Sequence, residues 1–238
     1  MVIFAYNFLH KKTQDFLFLC KYFDYEIEAV IAADWRDLGL PERIFRTGLR
    51  PLGLIEPKEI CKKFGYKFYE MGHNSQEAVE LLSQLKPEVG IISGARILKG
   101  DVINKFQKGI INFHPGLIPE VRGLDCLEWA IYDEKPLGVT SHIIDEKIDA
   151  GLIIKRFEID EYEDDTVLDI GERLHHGQLV IFNESISMLC NSDDLSEFSH
   201  VDSGANYYRS FPPDFKNEFV RKFRSRFPLS QQFQNFTF

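Results

Sequence analysis

The sequence predicts an α/β fold: a Rossmann-like, largely parallel sheet with helices on both faces. Three observations carry that expectation. Short apolar runs recur at residues 2–6, 27–33, 66–71, 89–92, 110–113, 139–144 and 152–157, segments with helical signals alternate with them, and the links between are short. Of the 238 residues, 44% are hydrophobic, enough for a sizeable buried core and too many for intrinsic disorder.

Taken in order, the run 2–6 is cut off by Asn7, and Thr13 supplies an N-cap for a helix through Tyr22. Pro57 opens a second helix through Lys63, since proline fits the first turn of a helix. Ser75 precedes a third through Leu85, whose apolar positions recur near every 3.6 residues. An apolar helix spans 127–131. The segment 158–165 holds six carboxylates in eight residues and reads as a solvated turn before a helix that Thr166 begins. Between Pro213 and Pro228, Phe215, Phe219 and Phe223 are spaced by four, a stripe on one helix face. Basic residues accompany the stripe, a mixture that suits nucleotide stacking, but a helical aromatic stripe points first to burial on the core or on a second subunit.

Lys plus Arg number 28 against 37 Asp plus Glu, a net charge of −9. That balance excludes a generic nucleic-acid binder and gives no attraction to an anionic membrane. The first apolar run is too short for a signal-peptide core or a membrane span, so a cytoplasmic location is expected. Cys20, Cys61, Cys126 and Cys190 stand far apart with no C-x-x-C, so reduced, mostly buried thiols are expected, with no metal site and no disulfide framework.

The chemistry concentrates between residues 87 and 154. Asn112-Phe113-His114-Pro115-Gly116 closes an apolar strand, and strand alternation turns Asn112 and His114 to one side with Phe113 opposite. Sites in open α/β sheets sit at such strand ends. The Pro and Gly that follow stop the strand and open the backbone to a ligand. A second run, 138–144, carries His142, and the loop after it returns Asp149. An amide, an imidazole and a carboxylate together suit acyl transfer to an amine. Asn112 can hold the developing oxyanion, and His114, kept protonated beside Asp149, is a second donor. Asp149 can take the amine proton directly or through one water.

Four motifs stand in a family's order: Ser93-Gly94-Ala95-Arg96-Ile97-Leu98, Asn112 through Pro119, Gly138-Val139-Thr140-Ser141-His142, and Asp145 through Gly151. Together they resemble the formyltetrahydrofolate-dependent formyltransferases, over residues 87 to about 187. The resemblance implies that Asn112, His114 and Asp149 are the catalytic trio and that N10-formyltetrahydrofolate is the formyl donor. It implies a pterin slot formed by Arg96, Ile97 and Leu98 with Ile144 and Asp145. It also places Thr140 and His142 as supporting residues, His142 orienting Asp149 or a water. Residues 1–200 then form the catalytic domain and 201–238 a Phe-rich C-terminal extension, with a homodimer expected as in the family.

The acceptor follows from departures within that resemblance. The purine-pathway members carry a glycine-rich turn after the first strand that binds phosphate, whereas this chain has no glycine between Tyr6 and Thr13. The tRNA-modifying members carry a further domain and a basic surface. The run from His114 to Ile131 resembles the sugar-nucleotide N-formyltransferases, which implies an amino-deoxy sugar linked to dTDP or a similar nucleotide, used in lipopolysaccharide O-antigen synthesis. Arg122, Trp129, Asn7, His10 and Lys11 are the candidate contacts to it: Arg offers a two-donor fork to phosphate and Trp a stacking face. Two alternatives stay open, a phosphoribosylglycinamide acceptor and a non-catalytic folate- or nucleotide-binding module.

Overall fold

The computed structural model describes residues 1–37, 39–41, 44, 53–145, 151–201 and 207–234. In chain order the first half comprises β1 (Val2–Tyr6), α1 (Lys11–Tyr22), β2 (Ala29–Ala33), α2 (Pro57–Phe64), β3 (Phe68–Glu70), α3 (Gln76–Leu85), β4 (Val89–Ile92), α4 (Gly100–Ile103) and β5 (Gly109–His114). The second half comprises β6 (Arg122–Gly123), α5 (Cys126–Tyr132), β7 (Gly138–Ile143), β8 (Leu152–Glu158), α6 (Val167–Val180), α7 (Phe182–Asn191), β9 (Ser199–His200), β10 (Tyr207–Tyr208) and α8 (Lys216–Arg226).

Eight strands form one sheet in the order β3-β2-β1-β4-β5-β7-β8-β9. The five from β3 to β5 are parallel, as expected. The order reverses beside β1, with β2 and β3 to one side and β4 and β5 to the other, which opens a crevice at the carboxyl ends of these strands. From β5 onward the pairings are antiparallel. The link from β7 to β8, residues 144–151, is too short for the crossover of a dozen or more residues that a parallel return requires.

Alternation along the parallel strands divides the core in two. Ile3, Ala5, Val30, Ile111 and Phe113 face α1, α2 and α5 through α8; Val2, Phe4, Ile31 and Ile110 face α3 and α4. Helices therefore cover both faces, and the runs are apolar on both sides because both sides are buried.

Two local expectations are corrected. α1 begins at Lys11, with His10 rather than Thr13 as its N-cap; Thr13 lies buried in the first turn. The acidic segment is not wholly solvated. Asp165 is 4% exposed because Arg173 of α6 reaches back to pair with it, and Glu161 pairs with Arg226 of α8 at 2.5 Å. The Phe stripe packs on this chain's own core: Phe219, Val220 and Phe223 are fully buried, and α8 lies against α5. Its basic residues are held within the chain, Lys222 donating to the Tyr132 carbonyl at 2.5 Å. Cys20, Cys61 and Cys126 are buried and Cys190 partly so, all as free thiols. No described helix is long and apolar enough to cross a membrane.

Candidate active site

The antiparallel pairing of β5 with β7 sets Asn112 opposite His142 and His114 opposite Thr140. By the strand period all four share one side of the sheet. Phe113 and Ser141 point to the other, where Phe113 stacks on Phe182 and Ser141 Oγ lies 2.7 Å from Ser185 Oγ. The Asn112 amide nitrogen donates to His142 Nε2 at 3.2 Å. Thr140 donates to the Gly116 carbonyl at 2.8 Å and accepts from the Ile118 N–H at 3.0 Å, fastening the turn that follows His114.

His114 is 4% exposed, with Nε2 3.0 Å from the Val121 carbonyl oxygen. A carbonyl only accepts, so Nε2 carries the hydrogen. Cys126 Sγ lies 3.2 Å from the same Nε2. Gly116 belongs to this packing: a Cβ there would stand 2.7 Å from the Val121 oxygen and 3.0 Å from His114 Nε2. The glycine makes room for the imidazole rather than for a ligand. Asp149, the third expected member of the trio, lies outside the described residues.

The residues expected around a pterin divide. Ile92, the register partner of Asn112, forms with Ala95 and Ile144 a half-buried apolar edge over the core of α3 and α4. Ile97 stands 62% exposed beyond it, its carbonyl accepting from the Asn74 amide at 2.9 Å. That edge suits a flat, uncharged ring. Leu98 is buried beneath it, and Asp145 is exposed. Arg96 turns away, donating to the Asp34 carbonyl at 2.7 Å, and lines a separate cleft of about 640 Å³ with Trp35 and His73.

A cleft of about 490 Å³ opens between the first turn of α1, the segment after His114, and α6. His10 and Lys11 line it, together with Lys12, Cys126, His175 and Gln178. Asp15 ties its walls together, 2.9 Å from Lys11 Nζ and 2.7 Å from His175 Nε2. Burial alone would raise the Asp15 carboxyl, but hydrogen bonds from His175 and Lys11 outweigh it and hold the pKa below the usual value. His10 accepts from the Thr13 N–H through Nδ1, and burial, then the charges of Lys12 and His175, push its pKa down to about 4.

The other expected sugar-nucleotide contacts sit elsewhere. Arg122 is 7% exposed and paired through β6 with Tyr207 of β10. The stacking face of Trp129 is taken by Tyr208 at 4.8 Å, and its indole N–H donates to the Arg209 carbonyl, because the C-terminal segment folds over α5. Asn7 donates to Asp34 at 3.0 Å, on the side of the Arg96 cleft. Sequence reading passed over Asp15, Cys126, His175 and Gln178. For the last two a signal existed: Gly171, Leu174, His175 and Gln178 share one helical face of α6 and are partly polar where a buried helix face is usually apolar.

The family model of formyl transferase matches residues 51–186. The chain is 30% identical over 151 residues to the bifunctional polymyxin resistance protein ArnA of Wigglesworthia glossinidia brevipalpis, covering 62% of this chain and 23% of that protein. To the methionyl-tRNA formyltransferase of Caldanaerobacter subterraneus subsp. tengcongensis it is 25% identical over 167 residues, covering 69% and 52%. The chain thus spans about half or less of these curated relatives. A solved sugar N-formyltransferase from a Shewanella species superposes with a TM-score of 0.59 at 17% identity, over 93% of this chain and 87% of that one. The phosphoribosylglycinamide formyltransferase of Streptococcus pneumoniae gives 0.61 at 22%, over 80% and 98%. The formyltransferase PseJ of Anoxybacillus kamchatkensis, solved with UDP-4,6-dideoxy-4-formamido-L-AltNAc and tetrahydrofolate, gives 0.55 at 18%, over 91% and 89%. At these identities the solved structures establish the fold; with more than half of its length matched by the family model, the chain belongs to the formyl transferase family.

Proposed function

We propose that this chain transfers a formyl group from N10-formyltetrahydrofolate to the amino group of a nucleotide-linked amino-deoxy sugar, such as dTDP-4-amino-4,6-dideoxyglucose, for O-antigen synthesis. One observation carries the reading: Asn112 and His114 share one side of the sheet at a strand end, next to an apolar edge and beside a cleft that holds lysines. The folate supplies an activated formyl carbon. As the amine attacks it, negative charge gathers on the formyl oxygen. Asn112 gives one amide hydrogen to His142 and has a second for that oxygen. Removing such a donor costs roughly 10²–10³ in rate. His114, anchored through Nε2, presents Nδ1 as the other donor when protonated. Asp149 takes the amine proton as general base, the tetrahedral adduct collapses with cleavage of the bond from the formyl carbon to N10, and a proton passes to N10 as tetrahydrofolate leaves.

The acceptor reading places the sugar nucleotide in the cleft at α1, where Lys11 and Lys12 meet its phosphates. The missing glycine-rich turn speaks against a phosphoribosyl substrate, and likeness to the Shewanella sugar N-formyltransferase extends over 93% of the chain against 80% for the Streptococcus enzyme. Incubation with formyl donor and dTDP-4-amino-4,6-dideoxyglucose should yield a product heavier by the mass of CO. Product with phosphoribosylglycinamide alone moves the chain to purine synthesis. No product with dTDP-, UDP- or GDP-linked amino sugars defeats the sugar reading.

A further inference from the structure

We propose that Tyr6 is a positioning residue for the formyl donor: its hydroxyl holds the Ala95–Arg96 peptide, and with it the apolar edge that receives the donor's ring, at a fixed angle to the end of β1. The proposal rests on the donor reading above. Tyr6 closes β1, and its hydroxyl donates to the Ala95 carbonyl at 3.1 Å, across 89 residues of sequence. The ring that carries the hydroxyl is held from several sides. It stacks on Phe8 at 4.8 Å and 13°, and meets His10 edge-on at 5.1 Å. Gly94 lies against it as well: a Cβ there would stand 2.7 Å from Cδ2 and 3.0 Å from Cε2 of Tyr6. The glycine of Ser93-Gly94-Ala95 therefore makes room for this ring.

The neighbours of Ala95 have anchors of their own. The Ser93 and Gly94 N–H groups both donate to the Phe4 carbonyl, at 3.0 and 3.1 Å. Asn74 spans the far end, its amide nitrogen donating to the Ile97 carbonyl at 2.9 Å and its oxygen accepting from the Lys99 N–H at 2.8 Å. Tyr6 fastens the peptide between these two anchors. In a trans peptide the carbonyl and the following N–H point in opposite directions, so fixing the Ala95 oxygen also fixes the Arg96 N–H, turned away from the hydroxyl. A flat heterocycle is oriented by a few polar groups at set angles beside an apolar wall, and Ala95 is itself part of that wall. Phenylalanine would fill the space between Phe8, His10 and Gly94 equally well. What tyrosine adds is the bond to Ala95, and a phenol taken out of water costs free energy unless it finds such an acceptor. Burial raises the Tyr6 pKa above the usual phenol value, with the charge of Arg96 opposing, so the oxygen keeps the hydrogen it donates.

Tyr6→Phe keeps the ring and removes the hydroxyl. The variant should bind tetrahydrofolate, followed by fluorescence quenching, about 5-fold more weakly, the scale of one hydrogen bond. KM for N10-formyltetrahydrofolate should rise alike with kcat unchanged, and affinity for dTDP-4-amino-4,6-dideoxyglucose without folate should stay the same. Gly94→Ala pushes the ring from its place and breaks the same bond, so it should cost tetrahydrofolate affinity at least as much, and Tyr6→Phe added to it should cost nothing further. Unchanged tetrahydrofolate affinity in Tyr6→Phe, an equal weakening of the sugar nucleotide, or losses that simply add in the double variant overturn the role of Tyr6 alone. Failure of the unaltered protein to bind tetrahydrofolate overturns the donor reading and this proposal with it.

Discussion

Asn112 and His142 face each other across the β5–β7 pairing with the amide nitrogen 3.2 Å from the imidazole Nε2. The amide donates, so Nε2 must be without a proton, and the neutral ring sets which edge of Asn112 faces the reacting centre. His142 thus acts through Asn112. His142→Ala should lower kcat by about 10-fold or more, short of the roughly 10²–10³ that loss of the donor itself costs, with KM for the folate little changed. His142→Gln, which keeps an acceptor, should recover part of the loss; equal kcat in both variants would reduce His142 to a packing residue.

Asn112→Ala and Asp149→Asn act on groups that meet charge appearing only in the transition state. Each should reduce turnover by at least ~10² while folate binding, followed by ligand fluorescence quenching, persists. Retained turnover in both variants contradicts the assigned roles.

What could be read from the sequence was what local periodicity controls. Val2, Ile3 and Phe4 are apolar in succession because both faces of β1 are covered, and the shared side of Asn112 and His114 follows from a period of two. The antiparallel half of the sheet depended on loop length rather than on strand composition. The start of α1 was misplaced because Thr13 is a common capping residue, whereas His10 caps only through an unprotonated ring nitrogen. The cleft was out of reach for a different reason. Asp15 and His175 meet from positions 160 residues apart, and nothing local to either announces the other.

Phe223 is fully buried, stacked on Phe219, tilted against Phe227 and edge-on to Phe233, in the core that the C-terminal segment completes. Phe223→Ala removes most of a large side chain from a close-packed site and should cost about 3–5 kcal/mol in denaturant unfolding. A loss under about 1 kcal/mol would mean that α8 contributes little to the folded state and that its stripe is covered by something other than this chain.

His10 should make the protein sensitive to mild acid. Its Nδ1 caps α1 by accepting the Thr13 N–H at 3.3 Å, which a protonated ring cannot do, and a cation at a helix N-terminus also opposes the helix dipole. Burial first, then Lys12 and His175, push its pKa from 6.5 to about 4, with Asp15 opposing. Because the folded value lies below the unfolded one, the unfolded chain binds the extra proton between them. Stability from this group is complete above about 6.5 and is lost as pH falls toward about 4. His73, lowered chiefly by burial, adds acid sensitivity of the same sign. Only a comparison of variants isolates His10. His10→Asn keeps an acceptor at the cap and does not titrate, so its Tm relative to the unaltered protein should rise steadily as pH drops from neutral through that window. A Tm difference that stays constant with pH would show that the imidazole is not held neutral by the fold.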